Sequence, residues 1–354
     1  MIFPDVKKAK KLNDDGKKRL LIAAYGSEQR TMGWTSCQKT NTSSILTDAL
    51  MIYYSPTTKG ANKIRQLKKA LKLLGAKDPK EIKYNVYDPD FIENRLEDKL
   101  KIYTDYNEII VDITSLTKYL ILIILCKLTP FKGKLRIVYT EPKDYAPSQS
   151  DYENYKINQS KIAKFPNYGA GTIQSAQCLG SIRMQGQPVC LIAFTSFNEQ
   201  LIRYILGSLN PYRLYLINGR PPHEHFSWRE NATQFIHEKI IKEFERDNPI
   251  DKRTGKLQYV SSTLYYQETI KLINKFYKEV GLRERIVASA TGSKMQTVGL
   301  FFSKIMHLDI HVEYPTPDSW FLKNISIGIK QVHEIEVPFF SKFIEKLAGR
   351  KIQL

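Results

Sequence analysis

Residues 109–118 read Ile-Ile-Val-Asp-Ile-Thr-Ser-Leu-Thr-Lys, and residues 286–294 read Ile-Val-Ala-Ser-Ala-Thr-Gly-Ser-Lys. Each is an apolar, β-branched run that ends in a hydroxyl-rich turn and then a lysine. Each precedes a helical pattern and a second apolar run that stops at a proline, Pro142 in one case and Pro315 in the other. A buried strand feeding a Thr/Ser/Gly turn at a helix N-terminus is suited to holding an anion, because backbone N–H groups and the helix dipole point at the same spot. Two such turns in one chain imply a symmetric ligand or two related ligands.

Two polar loops also follow apolar runs. They are Tyr25-Gly26-Ser27-Glu28-Gln29-Arg30-Thr31 and Thr195-Ser196-Phe197-Asn198-Glu199-Gln200. In open α/β sheets ligands bind beyond the carboxyl ends of the strands. Loops and turns together therefore define two candidate binding pockets. One is lined by Ser27, Arg30, Thr114, Ser115, Thr117 and Lys118. The other is lined by Thr195, Ser196, Asn198, Thr291, Gly292, Ser293 and Lys294. Taken singly, such Ser, Thr and Asn residues are ordinary helix caps. The recurrence of the whole set at equivalent places argues for binding. Gly292 leaves room for a phosphate to approach, whereas Leu116 occupies the matching place in the first turn, so the second turn is the stronger candidate.

Other signals carry less. His223-Glu224-His225 offers two imidazoles, but no third ligand stands at a metal-binding spacing. Pro89-Asp90 followed by Glu97-Asp98-Lys99 spells a PD-(D/E)xK nuclease motif, yet Glu97 and Lys99 fall on a helical pattern where that chemistry needs a strand. There is no GxSxG elbow, P-loop or GxGxxG fingerprint, so neither NAD nor ATP hydrolysis is indicated and no cofactor is expected. No side chain stands out as catalytic. Tyr25, Tyr139 and Tyr145 are placed to stack a base, although most of the 21 tyrosines suit packing better.

The elements that must position these residues alternate. In the first half, strands are predicted at Leu20–Tyr25, Ala49–Tyr54, Ile82–Tyr87, Ile109–Ile113 and Leu135–Tyr139. Helices are predicted at Ile64–Leu74, Phe91–Tyr103 and Tyr119–Leu128. The second half repeats the order. Its strands are Val189–Phe194, Leu214–Ile217, Leu257–Val260, Ile286–Ala288 and Leu308–Val312, and its helices are Thr233–Phe244, Gln267–Val280 and Thr297–Met306. Strands alternating with helices predict parallel βαβ units. The expected layout is a polar lead over 1–17, a first α/β domain over 18–143, a linker or lid over 144–187, a second α/β domain over 188–320, and an extension over 321–354. Asn167 to Thr172 is a glycine-rich turn without strand-then-helix context, read as a flexible connection. Phe339 to Leu347 predicts a terminal helix covering a sheet edge.

Bulk properties bound the partners. The 354 residues suit two domains. A composition of 42% hydrophobic and 25% charged residues marks a folded, soluble protein rather than a disordered one. The net charge of +18 favours an anionic partner, with nucleic acid among the possibilities; the competing reading is a solvated lysine-rich surface. Cys37, Cys126, Cys178 and Cys190 form no CxxC pair, which fits a reducing cytoplasm. No secretory signal and no membrane span are expected.

The turn Ala290-Thr291-Gly292-Ser293-Lys294-Met295, following a strand and opening a helix, resembles the fourth-strand motif of CRISPR-associated Rossmann-fold (CARF) sensory domains, and Thr114-Ser115-Leu116-Thr117-Lys118 looks like a degenerate copy. The resemblance spans roughly residues 18 to 315. It implies two tandem Rossmann-like domains with mainly parallel sheets, related as a pseudo-twofold repeat, that bind a cyclic oligoadenylate at the cleft between them. No HEPN ribonuclease, restriction-like nuclease or winged-helix effector is evident. The resemblance therefore implies either a sensor in antiviral defence acting through a separate effector protein, or a metal-independent ring nuclease that degrades the messenger. Independently of the resemblance, the charge leaves open a basic nucleic-acid-binding subunit.

Overall fold

The computed structural model describes residues 3–38, 44–55, 61–86, 92–100, 104–159, 165–320 and 326–349. Its first segment contains β1 (Lys7–Lys8), β2 (Arg19–Ala24), α1 (Gly33–Gln38), β3 (Asp48–Ser55), α2 (Ala61–Leu73), β4 (Lys80–Asn85), α3 (Ile92–Leu100), β5 (Glu108–Asp112), α4 (Lys118–Lys127), β6 (Lys134–Glu141) and β7 (Asp144–Tyr145). The middle contains α5 (Gln149–Ile157), β8 (Asn167–Tyr168), β9 (Ile173–Ser175), β10 (Val189–Phe194), α6 (Gln200–Leu209), β11 (Arg213–Arg220), α7 (Trp228–Ile236) and α8 (Glu238–Glu243). It continues through β12 (Val260–Ser262), α9 (Tyr266–Val280), β13 (Arg285–Ser289), α10 (Lys294–Met306), β14 (His311–Pro315) and β15 (Ser319–Trp320). β16 (Ser326–Ile327), β17 (Gln331–Val337) and α11 (Phe340–Ala348) close the chain's described part. Two units result: Met1–Leu120, Ile124–Tyr145 and Ile325–Leu354 form unit 1, and Ile121–Ile123 with Ala146–Asn324 form unit 2.

Unit 1 is built on a seven-stranded sheet in the order β1-β17-β6-β5-β2-β3-β4. β2 to β6 run parallel, and β17 and β1 add antiparallel at one side. The central strands β2 and β5 are buried along their whole length. A parallel strand covered on both faces must be apolar on both, which is why their cores read as unbroken apolar runs. β4 lies at the sheet edge and alternates, with Lys80 and Lys83 exposed as edge guards. A buried ion network sets the place of the C-terminal strand. Arg19 and Arg136 share Glu108 at 3.0 and 2.9 Å, and Arg136 also pairs with Glu334 of β17.

Unit 2 has a six-stranded sheet in the order β12-β11-β10-β13-β14-β9, parallel except for β9. Leu191, Ala193, Leu214, Leu216 and Val287 on one sheet face pack with Ile202 and Ile205 of α6 and Ile240 and Ile241 of α8. Counted along the chain within each unit, the parallel strands of both sheets lie in the order third, second, first, fourth, fifth. This is the Rossmann-like α/β arrangement. Its topological switch point falls between the first and fourth strands, β2 and β5 in unit 1 and β10 and β13 in unit 2.

Several boundaries differ from the sequence expectation. The residues read as a polar lead include β1, and Ala9 beside it is buried. The segment read as a linker carries α5, with a Ser148–Asp151 capping box, and β9, which pairs with β14 as a sheet edge. The C-terminal residues contribute β17, so the terminal helix α11 follows a strand that already extends that side of the sheet. The single helix expected over Thr233–Phe244 is two helices that break at His237, whose Nδ1 lies 2.9 Å from the Thr233 carbonyl oxygen. β12 begins at Val260, because Leu257 instead bridges to Ile250. β14 begins at His311, because the Leu308 and Ile310 carbonyls accept hydrogen bonds from buried Lys304 in a turn. Among the described residues no helix is long and apolar enough to cross a membrane.

Candidate functional site

In unit 1 the loop after β2 and the turn after β5 meet through Thr31 and Ser115, whose hydroxyl oxygens lie 2.7 Å apart. Tyr54, at the end of β3, donates its hydroxyl to the Ser115 carbonyl (2.8 Å) and accepts from the Thr117 N–H (2.9 Å). Thr117 caps α4 by accepting from the Leu120 N–H. Thr114 is buried, and its hydroxyl accepts from the Thr140 N–H at 2.9 Å. Leu116 is fully buried, so that position serves packing. Beneath the turn lies a void of about 10 Å³, the space of one water, lined by Ala24, Thr31, Thr35, Asp112 and Ser115 among others.

The cations of this set differ in state. Arg30 is buried, and its guanidinium grips both carboxylate oxygens of Glu28 at 2.7 and 3.1 Å. It also donates to the Tyr139 hydroxyl at 3.3 Å, and the Ser326 hydroxyl donates to Glu28. Lys118 is the first residue of α4 and is half-buried, and burial pushes its ammonium pKa down to about 8. Ser27 is half-buried in the loop ahead of Arg30.

Unit 2 repeats the arrangement with different bonds. Thr291 is fully buried, and its hydroxyl accepts from the Phe194 N–H (2.8 Å) and donates to the Phe194 carbonyl (2.7 Å), joining the end of β10 to the turn after β13. Ser293 and Gln296 form a reciprocal capping box at the start of α10. The Ser293 hydroxyl also donates to the Thr263 carbonyl at 2.9 Å, and the Gln296 amide donates to the Ser261 hydroxyl at 2.9 Å. Gly292 is required by packing. A Cβ there would lie 2.4 Å from Gln296 Oε1 and 2.7 Å from Phe194 Cβ. Lys294 follows as the first residue of α10 and is half-buried.

The loop after β10 is equally committed. Thr195 donates to the buried Asn218 side chain, which also accepts from Thr233 and the Gly219 N–H. The Ser196 hydroxyl accepts from the Asn198 N–H at 3.2 Å. The Asn198 amide donates to Asn167 Oδ1 and the Gly169 carbonyl, both at 2.9 Å. The other end of that glycine-rich segment is tied to the chain after β14. The Gly171 N–H donates to the Thr316 carbonyl, the Thr316 N–H donates to the Thr172 carbonyl, and β8 pairs with β15. Because β13 lies between β10 and β14, residues 167–172 form a strap across the carboxyl end of β13, where the Thr291–Lys294 turn emerges.

Both sets of site residues thus gather at the switch point of their own sheet, with most hydroxyls serving as caps and cross-ties. Sequence reading missed Tyr54, Asn218, Ser261 and Thr263. The Ser293-x-x-Gln296 pattern was a legible signal for the capping box. Of the three tyrosines placed to stack a base, Tyr25 is packed in the core, whereas Tyr139 and Tyr145 are half-buried. Tyr25 is buried with its hydroxyl on Glu81 at 2.7 Å, and the Tyr139 and Tyr145 hydroxyls lie 3.3 Å apart beside Arg30. Among the described residues no group of three His, Cys, Asp or Glu side chains is placed to hold a metal ion, and the His223 and His225 rings stack on each other. Glu97 and Lys99 lie in α3, while Pro89 and Asp90 fall outside the described residues.

No protein-family model matches the chain, and no curated protein matches its sequence. Among solved structures it is similar to a Type III CRISPR defence DNA nuclease activated by cyclic oligoadenylate, at 10% identity and a TM-score of 0.46. That match covers 84% of this chain and 65% of the nuclease. It is also similar to the cytoplasmic domain of a prokaryotic cation chloride cotransporter, at 9% identity and a TM-score of 0.26, covering 86% of this chain and 99% of that one. A predicted O-methyltransferase from Agrobacterium tumefaciens matches at 12% identity and a TM-score of 0.20, covering 46% of this chain and 67% of that one.

Proposed function

We propose that this protein is a cytoplasmic sensor in prokaryotic antiviral defence that binds a cyclic oligoadenylate-like second messenger and acts through a separate effector protein. The observation that carries the reading is the repetition of one layout. In each unit a hydroxyl turn after the fourth parallel strand leads into a helix whose first residue is a lysine, Lys118 of α4 or Lys294 of α10. Each turn is tied to the loop or strand end after the first parallel strand, through Ser115–Thr31 or Thr291–Phe194. The amino end of each helix carries the positive end of its dipole, and a neighbouring ammonium adds charge, so each corner suits one phosphate. The sequence resemblance of the Thr291–Lys294 turn to the CARF fourth-strand motif selects the kind of ligand. Unit 2 is the stronger half by sequence, because its Thr291-Gly292-Ser293-Lys294 turn keeps the glycine of the motif where unit 1 has Leu116.

Incubation with cyclic oligoadenylates of several ring sizes, following both retention and breakdown, tests this. Retention without breakdown is expected, with binding weakened at least about tenfold by Lys294→Ala, since a charge-assisted contact contributes on the order of 1.5–3 kcal/mol. Unchanged binding in Lys294→Ala, or no binding to any ring, overturns the reading. Breakdown of the ring would make the protein a ring nuclease. Steeply salt-dependent binding to long single strands or duplexes would make it a nucleic-acid-binding subunit.

A further inference from the structure

The loop after β12, which is tied to the turn in unit 2, carries an exposed aromatic residue. Tyr265 is 47% exposed and immediately precedes α9. Its backbone is held in place, because the N–H groups of Leu264 and Tyr265 both donate to the Ser262 hydroxyl at 3.1 Å. Three ties fix this loop against the Thr291–Lys294 turn and the start of α10. Ser293 donates to the Thr263 carbonyl at 2.9 Å, and Gln296 donates to Ser261 at 2.9 Å. Gly299 of α10 gives the third, since a Cβ there would lie 2.7 Å from the Tyr266 carbonyl oxygen and 2.8 Å from Thr269 Cβ, so the first turn of α9 packs closely against the middle of α10. Two helix N-termini, one lysine and one rigidly based tyrosine therefore share a corner of the sheet's carboxyl edge.

Other exposed rings of unit 2 lack this setting. Tyr204 and Phe235 lie within helices, and Tyr212 precedes β11 at the opposite, amino edge. Tyr168 lies in the strap between Asn167 and Gly169, the two partners of Asn198, and pairs with Ser319 rather than with the loop after β12. A tyrosine with a fixed backbone at a surface loses little conformational entropy when a flat ligand covers it, and each nucleobase has a face that stacks on an aromatic ring.

We propose that Tyr265 is the base platform of the unit 2 site: its ring stacks an adenine of the ligand whose phosphate is held at the Thr291–Lys294 turn. This rests on the proposed messenger binding and adds its base-recognition residue. The loop after β12 then sets the distance from phosphate to base, and Lys294 supplies the charge.

The test titrates a retained cyclic oligoadenylate against the wild type, Tyr265→Ala, Tyr265→Phe and Tyr265→Trp. Tyr265→Ala is expected to weaken binding by roughly tenfold to a hundredfold, the range for loss of one stacked base. Tyr265→Phe keeps the π face and should bind within about threefold of wild type. Tyr265→Trp should also bind, and its added indole fluorescence should be quenched on saturation, a signature that a purely structural residue would not give. Equal binding by wild type and Tyr265→Ala, or no ligand-dependent quenching in a Tyr265→Trp variant that binds, overturns this inference alone. Failure of the wild type to bind any ring overturns it together with the reading beneath it.

Discussion

The Thr291 hydroxyl engages both the N–H and the carbonyl of Phe194, at 2.8 and 2.7 Å, across 97 residues of chain. One fully buried side chain thereby joins the end of the first parallel strand of unit 2 to the turn that leaves the fourth. Valine has nearly the same shape but neither donor nor acceptor. Thr291→Val should leave the Phe194 N–H buried and unpaired, at a cost of roughly 1–3 kcal/mol. Thr291→Ser should lose less than half of that. Urea unfolding of the three proteins checks it, and an equal midpoint for Thr291→Val would show that the bridge contributes nothing.

Gly292→Ala tests whether the turn's glycine is held by packing. The new methyl would lie 2.4 Å from Gln296 Oε1 and 2.7 Å from Phe194 Cβ. Gln296 is fixed by its capping box and by Ser261, so it has little room to yield. A loss of about 1–3 kcal/mol is expected, the usual range for overpacking. The Ser293 amide, which donates to Gln296 Oε1 at 2.7 Å, should exchange faster with solvent. Parent-like stability and exchange together would refute the packing account.

How far the sequence reached follows from what each feature depends on. The parallel strands were legible because burial on both faces imposes continuous apolar runs, as in Leu20–Ala24 and Cys190–Phe194. The antiparallel strands were not. β9 has three residues, and β17 carries Glu334 and His333, whose burial depends on Arg136 and Glu141 far away in sequence. The two turns were legible because hydroxyls before a helix are a local signal. Their partners were not, since nothing local announces that Tyr54 will reach Ser115, or that Asn218 will gather Thr195 and Thr233. The role of Gly292 shows the same limit: the residue was visible, but Phe194 as its neighbour was not.

The strap over unit 2 should depend on Asn198. Both donor hydrogens of its amide are spent on the strap, one on Asn167 and one on Gly169. Asn198→Ala removes these two bonds while leaving the pairing of β8 with β15 and the ties of Gly171 and Thr172 to Thr316. Amides of residues 167–172 should then exchange markedly faster, with a global stability loss of about 1–2 kcal/mol for two buried hydrogen bonds. Hydrogen exchange resolved to this segment decides the matter. Unaltered exchange there would mean that the strap is held from the β14 side alone.

Lys118 should make the stability of unit 1 depend on pH in alkaline solution. Burial lowers its pKa from the ordinary 10.5 to about 8, so the unfolded chain holds the proton more tightly than the folded one. Between pH 8 and 10.5 the unfolded state carries more protons, and stability therefore rises with pH across that window. Below about pH 8 the penalty of burying the ammonium is present in full. Lys118→Met lacks it. The variant should be more stable than the parent at neutral pH, with the difference shrinking as pH approaches 10.5. A bound phosphate would reverse the bias by favouring the ammonium. Ligand affinity in the parent should then fall above about pH 8, while Lys118→Met shows a flat profile there. Denaturation midpoints and binding isotherms over the same pH series measure both effects. A stability difference that does not change with pH would show that the ammonium is solvated, and would remove Lys118 from the proposed phosphate contacts of unit 1.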